Sequence, residues 1–472
     1  MTTASSAAPV ATTTSKSKNG KGSQSFRSSL AGFFGSALEY YDMYIYASAS
    51  ALVFSQLFFP DAETTGLLLS LGTYGVAYLA RPLGGFLAGH VGDVFGRRNV
   101  MLATLLVMGL ATFAIGCLPT YNSIGIWAPI ILVLLRLVQG LSVGGELAGA
   151  TSLTMEHAPE GRRGFLTSWL IQGIWAGYII ATLAFLAIQT LPQETIMDWG
   201  WRIPFWGSAL IVILGLYIRT QIQEPEVFED SKAEARQAAT PISVLFKHQK
   251  ADVIRVIFAS FLLVISTTVP VYGLTYGVNV VGMDASTIMW STILAYAVAL
   301  ATQPAFGILS DKIGRKPVMI AGNLVGGAAA WYFFWSLHNA DVTGIMIGMV
   351  VTISIGFAAV HANYAVFFAE MFDVKVRMSG MAIGLQLGII VTGFSPMIIQ
   401  ALTQRYDGAW WPAALVTTIA CLISSVAIAT GRETHKVPLA QLGKKIVIDE
   451  SGDSSAADQS PAAAEMVPSP TA

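Results

Sequence analysis

The sequence has few charged residues and few cysteines. Asp, Glu, Lys and Arg make up 12% of its 472 residues, about half the share usual in soluble domains, while hydrophobic residues make up 54%. Its two cysteines, Cys117 and Cys421, lie in apolar segments and indicate neither a disulfide framework nor a metal site. The net charge is −1 and no basic run with interleaved aromatics occurs, which argues against a nucleic-acid partner. This composition places the chain in a membrane.

Several motifs are also missing. No Gly-x4-Gly-Lys-Ser/Thr phosphate loop occurs, which argues against ATP as the energy source. The first 27 residues are rich in Ser, Thr and Ala without an apolar core, which is not the pattern of a cleaved signal peptide. No nucleophile–base or metal-ligand constellation appears. The sequence therefore predicts a protein that is not an enzyme, has no cofactor or metal, and uses an ion gradient.

Twelve apolar segments have the roughly 20 residues needed to cross ~30 Å of hydrocarbon. Of the 27 Lys and Arg residues, 23 fall in the two tails and in alternate connecting loops, so the positive-inside rule places both termini in the cytoplasm. The predicted fold is an all-α integral membrane protein of twelve transmembrane helices in two six-helix repeats. The expected location is the plasma or inner membrane, and a monomer is expected.

Five parts are predicted along the chain. They are a disordered cytoplasmic N-tail (1–27), an N-terminal six-helix half (28–220), a cytoplasmic central loop (221–250), a C-terminal six-helix half (251–435) and a disordered cytoplasmic C-tail (436–472).

An internal repeat supports the two halves. The run Gly-x3-Asp-x2-Gly-Arg-basic begins at residue 89 and returns 218 residues later, and charged residues near 156–163 return after 214. Such repeats are typical of transporters. The glycines permit close helix approach, and the charges can pair across the bundle in one conformation only, as a gate requires. The predicted gating residues are Gly89, Asp93, Gly96, Arg97, Arg98, Gly307, Asp311, Gly314, Arg315, Lys316, Glu156, Arg163, Glu370 and Arg377.

Five charged residues lie within the apolar segments of the first half: Glu39, Asp42, Arg81, Arg136 and Glu146. Each costs about 2.5–3.5 kcal/mol at the bilayer centre, so each needs a partner or a function. Three carboxylates against two arginines leave one negative charge unbalanced, and carrying a proton removes it. We therefore expect proton coupling at Asp42 or Glu39 in preference to Glu146.

Helical spacing of about 100° per residue gathers polar side chains on facing surfaces of the two halves. A cationic first half opposite an aromatic, hydrogen-bonding second half suits a small carboxylate with a hydroxylated or ring body. Structural alternatives to substrate binding stay open. They are permanent ion pairing of the arginines, a hydrogen-bonding role for the histidine and ordinary packing of the tyrosines. The candidate substrate-binding residues are Arg81, Arg136, Gln139, Tyr46, Tyr78, Gln172, Tyr272, Tyr276, Asn279, His361, Tyr364 and Gln386.

Short motifs in the first half carry a family resemblance. They are Glu39-Tyr40-Tyr41-Asp42, Arg81-Pro82-Leu83-Gly84-Gly85, Arg136-x2-Gln139-Gly140, Gly144-Gly145-Glu146 and Gly200-Trp201-Arg202-Ile203-Pro204-Phe205. With the repeated loop motif they resemble the major facilitator superfamily and, within it, the metabolite:proton symporters, over about residues 28–435. That group includes carriers of shikimate, α-ketoglutarate, citrate, proline and betaine. The resemblance implies a twelve-helix carrier.

The predicted function is proton-coupled uptake of a small organic metabolite, a carboxylate such as shikimate or a dicarboxylate. Its partners would be the metabolite, protons and the lipid bilayer. One alternative is a symporter of proline- or betaine-type zwitterions, which would favour an aromatic cage for a quaternary ammonium. Another is a membrane sensor that keeps a carrier fold without transport. Arg202 is expected to anchor an outer loop.

Overall fold

The computed structural model describes residues 18–62, 65–95, 97–143, 146–159, 161–220, 241–374, 376–443, 446–448 and 454–456. Twelve helical passes run along these residues, six on each side of the gap at 221–240. We number them spans 1 to 12: Lys18–Leu52, Gly66–Phe95, Arg97–Cys117, Trp127–Ser142 with Glu146–His157, Arg163–Ile188, Ile203–Thr220, Lys250–Val281, Ala285–Ile313, Arg315–His338, Val342–Glu370, Arg377–Arg405 and Trp411–Thr430.

Eight of these passes, spans 4, 5 and 7 to 12, have the length and apolar composition needed to cross a membrane. Arginines stand at the starts of spans 5, 9 and 11, and we call that end of the bundle the arginine-rich end. The other end is called the opposite end. The predicted helical membrane fold, with two sets of six passes, is confirmed.

Besides span 4, which consists of two helices, spans 5, 7 and 10 are irregular within the described residues. Span 5 consists of Arg163–Leu170 and Gln172–Ile188. Span 7 joins the α-helices Lys250–Ala259, Ile265–Thr267 and Gly273–Tyr276 through the 3₁₀ segment Ser260–Val264 and the π-helical segments Thr268–Tyr272 and Gly277–Val281. Span 10 runs through Val342–Val350, the π-helical Val351–Phe357, Ala358–His361 and Tyr364–Glu370. Because π-helical turns frequently lie at functional sites, spans 7 and 10 are the candidates in the second half to line such a site.

Shorter elements connect the passes. The helices are Phe54–Phe58, Tyr121–Ile124, Gln193–Asp198, Gly200–Arg202, Pro241–His248 and Leu439–Gln441, and the strands Ile446–Ile448 and Ser454–Ala456 pair antiparallel. Span 1 thus begins inside the predicted N-tail, and Pro241–His248 lies inside the predicted central loop. The domain boundaries stay predictions.

As expected, Arg202 anchors its loop, since Nη1 donates to the carbonyls of Gly116 and Leu118 at 2.8 Å.

Glycines allow the helices to approach closely. A Cβ on Gly177 would lie 2.4 Å from the carbonyl oxygen of Ala37, so spans 1 and 5 nearly touch through their backbones. The two halves meet where span 2 packs on span 11 and span 5 packs on span 8. Between these contacts lies a buried interface, which contains most of the predicted site.

Candidate substrate and coupling site between the two halves

Asp42 of span 1 ends a buried hydrogen-bond chain. The Thr112 hydroxyl donates to Asp42 Oδ2 at 2.8 Å, and Gln139 Nε2 donates to Thr112 Oγ1 at 2.7 Å. Arg136 Nη1 in turn donates to Gln139 Oε1 at 2.7 Å. Within the described residues no cation lies within 4 Å of Asp42, which is 3% exposed. In this hydrogen-bond chain, the neutral side chains of Thr112 and Gln139 therefore separate Asp42 from Arg136.

Arg136 is enclosed by its own half. Its guanidinium lies 3.9 Å from the ring centroid of Tyr46 and 5.6 Å from that of Tyr74, and Nη2 donates to the Tyr74 carbonyl at 3.0 Å. The side chain is fully buried. Gln139 and the Tyr74 carbonyl each bind one terminal nitrogen of Arg136, while its Nε has no hydrogen-bond partner within the described residues. This geometry favours the structural interpretation of Arg136.

Arg81 is held more loosely. Its Nη2 lies 3.7 Å from Glu39 Oε1, beyond hydrogen-bond distance, and its guanidinium sits 4.6 Å from the Tyr78 ring centroid. Nε and Nη2 of Arg81 have no hydrogen-bond partner within the described chain. Arg81 therefore has a terminal nitrogen, Nη2, to spare for a ligand, whereas both terminal nitrogens of Arg136 are bound within its own half.

Aromatic rings from both halves meet at the centre. We define the aromatic cluster as Tyr44, Trp175, Tyr178, Tyr296, Phe357 and His361. Tyr178 of the first half stacks on Tyr296 of the second, with centroids 5.1 Å apart, and Trp175 lies 5.4 Å from Tyr296. Tyr44 completes the contact at 6.1 Å from Tyr296. The aromatic cluster therefore fills the centre of the interface between the two halves.

His361 joins the two halves through Gln303. Trp175 Nε1 and His361 Nδ1 both lie 2.6 Å from Gln303 Oε1, and Gln303 Nε2 donates to the Ser168 carbonyl at 3.0 Å. Trp175 and Ser168 belong to span 5, whereas Gln303 belongs to span 8. His361 thus makes a specific hydrogen bond to Gln303, in agreement with the structural interpretation of this residue.

The other predicted substrate residues do not all converge. Tyr46 and Tyr78 lie beside the arginines, Tyr364 lies 5.1 Å from His361, and Gln386 is buried on span 11. Gln172 Nε2 donates across the halves to the Leu300 carbonyl at 2.7 Å.

The predicted polar face of span 7 is divided in the structure. Tyr272 donates to Thr403 within the second half, and Tyr276 contacts His338 and the Gly408 carbonyl near the opposite end. Asn279 instead crosses to the Ala51 carbonyl at 3.1 Å. Tyr272 and Tyr276 stay neighbours, with ring centroids 6.3 Å apart, whereas Asn279 lies in the π-helical turn Gly277–Val281 that follows them.

At the arginine-rich end, Asp311 of span 8 caps span 5. Its two carboxylate oxygens accept from the backbone N–H groups of Gly164 (3.0 Å) and Phe165 (2.9 Å), and Oδ1 also accepts from Arg315 at 2.6 Å. A carboxylate at a helix N-terminus is stabilised by the free N–H groups and the helix dipole. Gly307 permits this contact, because a Cβ there would lie 2.8 Å from Ser168 Oγ.

Glu370 links arginines from both halves. Its Oε1 lies 3.3 Å from Arg163 Nε, and its Oε2 lies 3.4 Å from Arg315 Nε. Arg163 begins span 5 and Arg315 begins span 9, so the pairing crosses the interface. Glu370 is buried, which makes the pair more sensitive to removal of one partner than a surface pair would be.

The segment 431–443, here called the C-terminal strap, covers this end. The carbonyls of Thr434, His435 and Val437 accept from Arg163 Nη2. Glu433 accepts from the backbone N–H groups of Arg315 and Lys316 at 2.9 and 3.0 Å. Partial burial alone would raise the pKa of Glu433, but these N–H groups stabilise its carboxylate and lower that pKa below its usual value.

Gly314 and Lys316 also contribute to the strap contact. Gly314 has φ +110°, which favours glycine, and a Cβ there would lie 2.8 Å from Glu433 Oε2. Lys316 Nζ donates to the carbonyls of Ala429 and Gly431. The side chains of the first copy of the gate motif (Gly89, Asp93, Gly96, Arg97 and Arg98) and of Glu146 lie outside the described residues.

The repeat is not symmetric in its charge pairs. Arg163 pairs with Glu370, but its repeat counterpart Arg377 is buried and has no hydrogen-bond partner within the described residues. Glu156, the counterpart of Glu370, is exposed and accepts only from Ser152, at 3.3 Å, in that part of the chain.

Sequence reasoning missed several residues of the site. Thr112, Gln303, Trp175 and Tyr296 carry no charge and belong to no quoted motif. Gln303 and Thr112 could have been noticed as polar residues within apolar segments, but nothing in the sequence aligns them with Asp42 or His361.

Two family models match the chain: "Sugar (and other) transporter" over residues 29–255 and "Major Facilitator Superfamily" over residues 278–447. The shikimate transporter of Escherichia coli (strain K12) is 33% identical over 420 residues, covering 88% of this chain and 96% of that protein. The proline/betaine transporter of Salmonella typhimurium is 32% identical, covering 86% and 83%. Among solved structures, the proton:xylose symporter XylE bound to 6-bromo-6-deoxy-D-glucose is similar with TM-score 0.68 at 17% identity, covering 89% of this chain and 98% of that one.

Proposed function

Because this chain belongs to the major facilitator superfamily and is a membrane transporter by that membership, we propose that it takes up a small organic carboxylate together with protons. Uptake is driven by the proton gradient, both termini lie in the cytoplasm, and the chain acts as a monomer. The substrate binds between the halves, at the aromatic cluster and Arg81. The 33% identity to a shikimate transporter supports a hydroxylated ring carboxylate as the cargo.

The observation that carries the proposal is the environment of Asp42. As a carboxylate, Asp42 accepts from Thr112, which accepts from Gln139. When Asp42 is protonated, its O–H donates to Thr112 Oγ1, and the Thr112 hydrogen turns to the Met108 carbonyl, 3.0 Å away. A hydroxyl oxygen has two lone pairs, so Thr112 stays hydrogen-bonded to both Asp42 and Gln139 in either protonation state. Such a site can gain and lose a proton without rebuilding its surroundings.

Asp42 suits this role better than Glu39. Glu39 has Arg81 within 4 Å, whereas Asp42 has no cation that close in the described chain and pays the cost of an isolated buried charge. Binding a proton removes that cost. Meanwhile, a substrate carboxylate can compete with Glu39 for the two free donors of Arg81. Proton and substrate thus neutralise neighbouring charges before the halves rearrange.

The rearrangement would open the gate at the arginine-rich end. Asp311 and Glu370 bind span 5 from the second half, so both contacts must break for the halves to separate there. These pairs supply the two-state element that alternating access requires.

A zwitterion is the second candidate substrate. Tyr44, Tyr178 and Tyr296 lie together at the interface, with ring centroids 4.9 to 6.1 Å apart, and a group of aromatic rings of this kind holds a quaternary ammonium by cation–π attraction. The 32% identity to a proline/betaine transporter agrees with this candidate.

Uptake into proteoliposomes tests the proposal. Labelled shikimate would be offered under an inward proton gradient, with unlabelled α-ketoglutarate, citrate, proline and betaine as competitors. We expect accumulation that an uncoupler abolishes and that carboxylates inhibit. If shikimate stays outside while proline or betaine enters, the carboxylate assignment is wrong. Accumulation that survives the uncoupler would contradict proton coupling.

A further inference from the structure

The hydrogen-bond partners of Gln303 fix the orientation of its amide. The indole Nε1–H of Trp175 can only donate, and it lies 2.6 Å from the atom assigned as Gln303 Oε1. The other amide atom lies 3.0 Å from the Ser168 carbonyl oxygen, which can only accept. Both contacts require oxygen toward Trp175 and nitrogen toward Ser168. The amide therefore cannot be flipped.

This orientation fixes the tautomer of His361. Its Nδ1 lies 2.6 Å from the same Gln303 oxygen, and an oxygen that already accepts from Trp175 offers only another lone pair. Nδ1 must therefore carry the hydrogen. In a neutral imidazole the other nitrogen, Nε2, is then an acceptor.

The ring of His361 is neutral because its surroundings would not stabilise a cation. Its neighbours are the rings of Trp175, Phe357 and Tyr364, with centroids at 5.2, 4.9 and 5.1 Å, and no carboxylate lies within 4 Å of it within the described residues. A buried cation without a partner is strongly unfavourable.

The second ring nitrogen of His361 has no protein partner in the part of the chain that the structure describes, where only Nδ1 makes a hydrogen bond. His361 is 3% exposed, and leaving an acceptor unpaired in such surroundings is unfavourable, so Nε2 fits a ligand that supplies the missing bond. The ring lies against Trp175, at 5.2 Å between ring centroids.

We propose that His361 Nε2 accepts a hydrogen bond from a substrate hydroxyl, and that this acceptor makes the carrier selective for hydroxylated ring carboxylates. The inference rests on the proposed function, because it assumes that the cargo binds at the aromatic cluster. The surrounding rings provide flat apolar faces for a ring body. A betaine has neither an O–H nor an N–H group, so it would leave Nε2 unpaired.

Equilibrium binding to the purified full chain tests this selectivity without a proton gradient. Shikimate would be compared with cyclohex-1-ene-1-carboxylate, which has the same ring and carboxylate but no hydroxyl. We expect the wild type to bind shikimate at least about tenfold more tightly, because the analogue leaves a buried acceptor unpaired. In His361→Phe, which keeps a ring beside Trp175, the two affinities should become equal within about twofold. In His338→Phe, a matched histidine outside the cluster, the preference should persist.

A spectroscopic measurement covers the case in which His361→Phe does not fold. In the wild type labelled with ¹⁵N-histidine, with His361→Gln used for assignment, we expect Nδ1 protonated and Nε2 unprotonated. Shikimate should shift the Nε2 resonance, and the hydroxyl-free analogue should not. Equal affinities of the wild type for the two acids, or a protonated Nε2, would overturn the inference. Those results leave proton coupling untouched, whereas a wild type that binds betaine and neither acid removes the carboxylate assignment as well.

Discussion

Replacing Glu370 by Gln should open the arginine-rich end. The Glu370 carboxylate lies 3.3 Å from Arg163 of the first half and 3.4 Å from Arg315 of the second, and its side chain is fully buried. Removing one partner of such a buried pair costs about 3 kcal/mol, at the low end of measured values because Gln keeps an acceptor oxygen. Since each 1.4 kcal/mol is a factor of ten, the ratio of open to closed molecules should rise about 100-fold.

Distances between spin labels measure this change. Labels at Arg162 and Lys312, both exposed, report the separation of spans 5 and 8 in a chain whose native cysteines are replaced. We expect the distance distribution of Glu370→Gln to move to longer values. Glu156→Gln is the matched control, because the repeat relates it to Glu370 while its carboxylate is exposed. If Glu370→Gln keeps the wild-type distribution, or if Glu156→Gln shifts it equally, the gating role of Glu370 is wrong.

Three further predictions concern single positions. Thr112→Val should reduce the initial rate of gradient-driven uptake at least about tenfold, because Asp42 loses its donor, whereas Thr112→Ser should retain most of the rate. Gly307→Val should lengthen the same label distance, since its side chain would collide with Ser168; an unchanged distance would contradict the close contact. Because docking of the strap lowers the pKa of Glu433, the charged carboxylate stabilises docking fully at pH values above the usual carboxyl pKa of about 4.3. This stabilisation is lost as the pH falls through the lowered pKa, so proteolysis of the strap should accelerate in acid. Glu433→Gln should be cleaved rapidly already at neutral pH, and slow cleavage would refute the role of its charge.

The sequence predicted the helical framework well, because long apolar segments and the distribution of basic residues follow directly from the bilayer. The repeat also predicted Asp311, Glu370 and Arg163 as gate residues, and all three make contacts between the halves. Their role in opening and closing stays a prediction until it is measured.

The interior of the site was harder to foresee. Charge counting identified Asp42 but not Thr112, since a neutral hydroxyl has no signature in an apolar segment. Regular helical spacing placed Tyr272, Tyr276 and Asn279 on one face; the two tyrosines are neighbours, but Asn279 lies in a π-helical turn and contacts the other half. The side-chain partners of His361 depend on how spans 5, 8 and 10 pack, which spacing along one helix does not contain.

The most direct test of proton-coupled transport compares two assays of Asp42→Asn in proteoliposomes. One measures accumulation of labelled substrate driven by an inward proton gradient, and the other measures exchange with unlabelled substrate at equal pH. The account predicts that Asp42→Asn loses accumulation and retains exchange, because the amide cannot bind and release the proton. Asp341→Asn, an exposed loop variant, should retain both activities. Normal accumulation by Asp42→Asn would contradict the account.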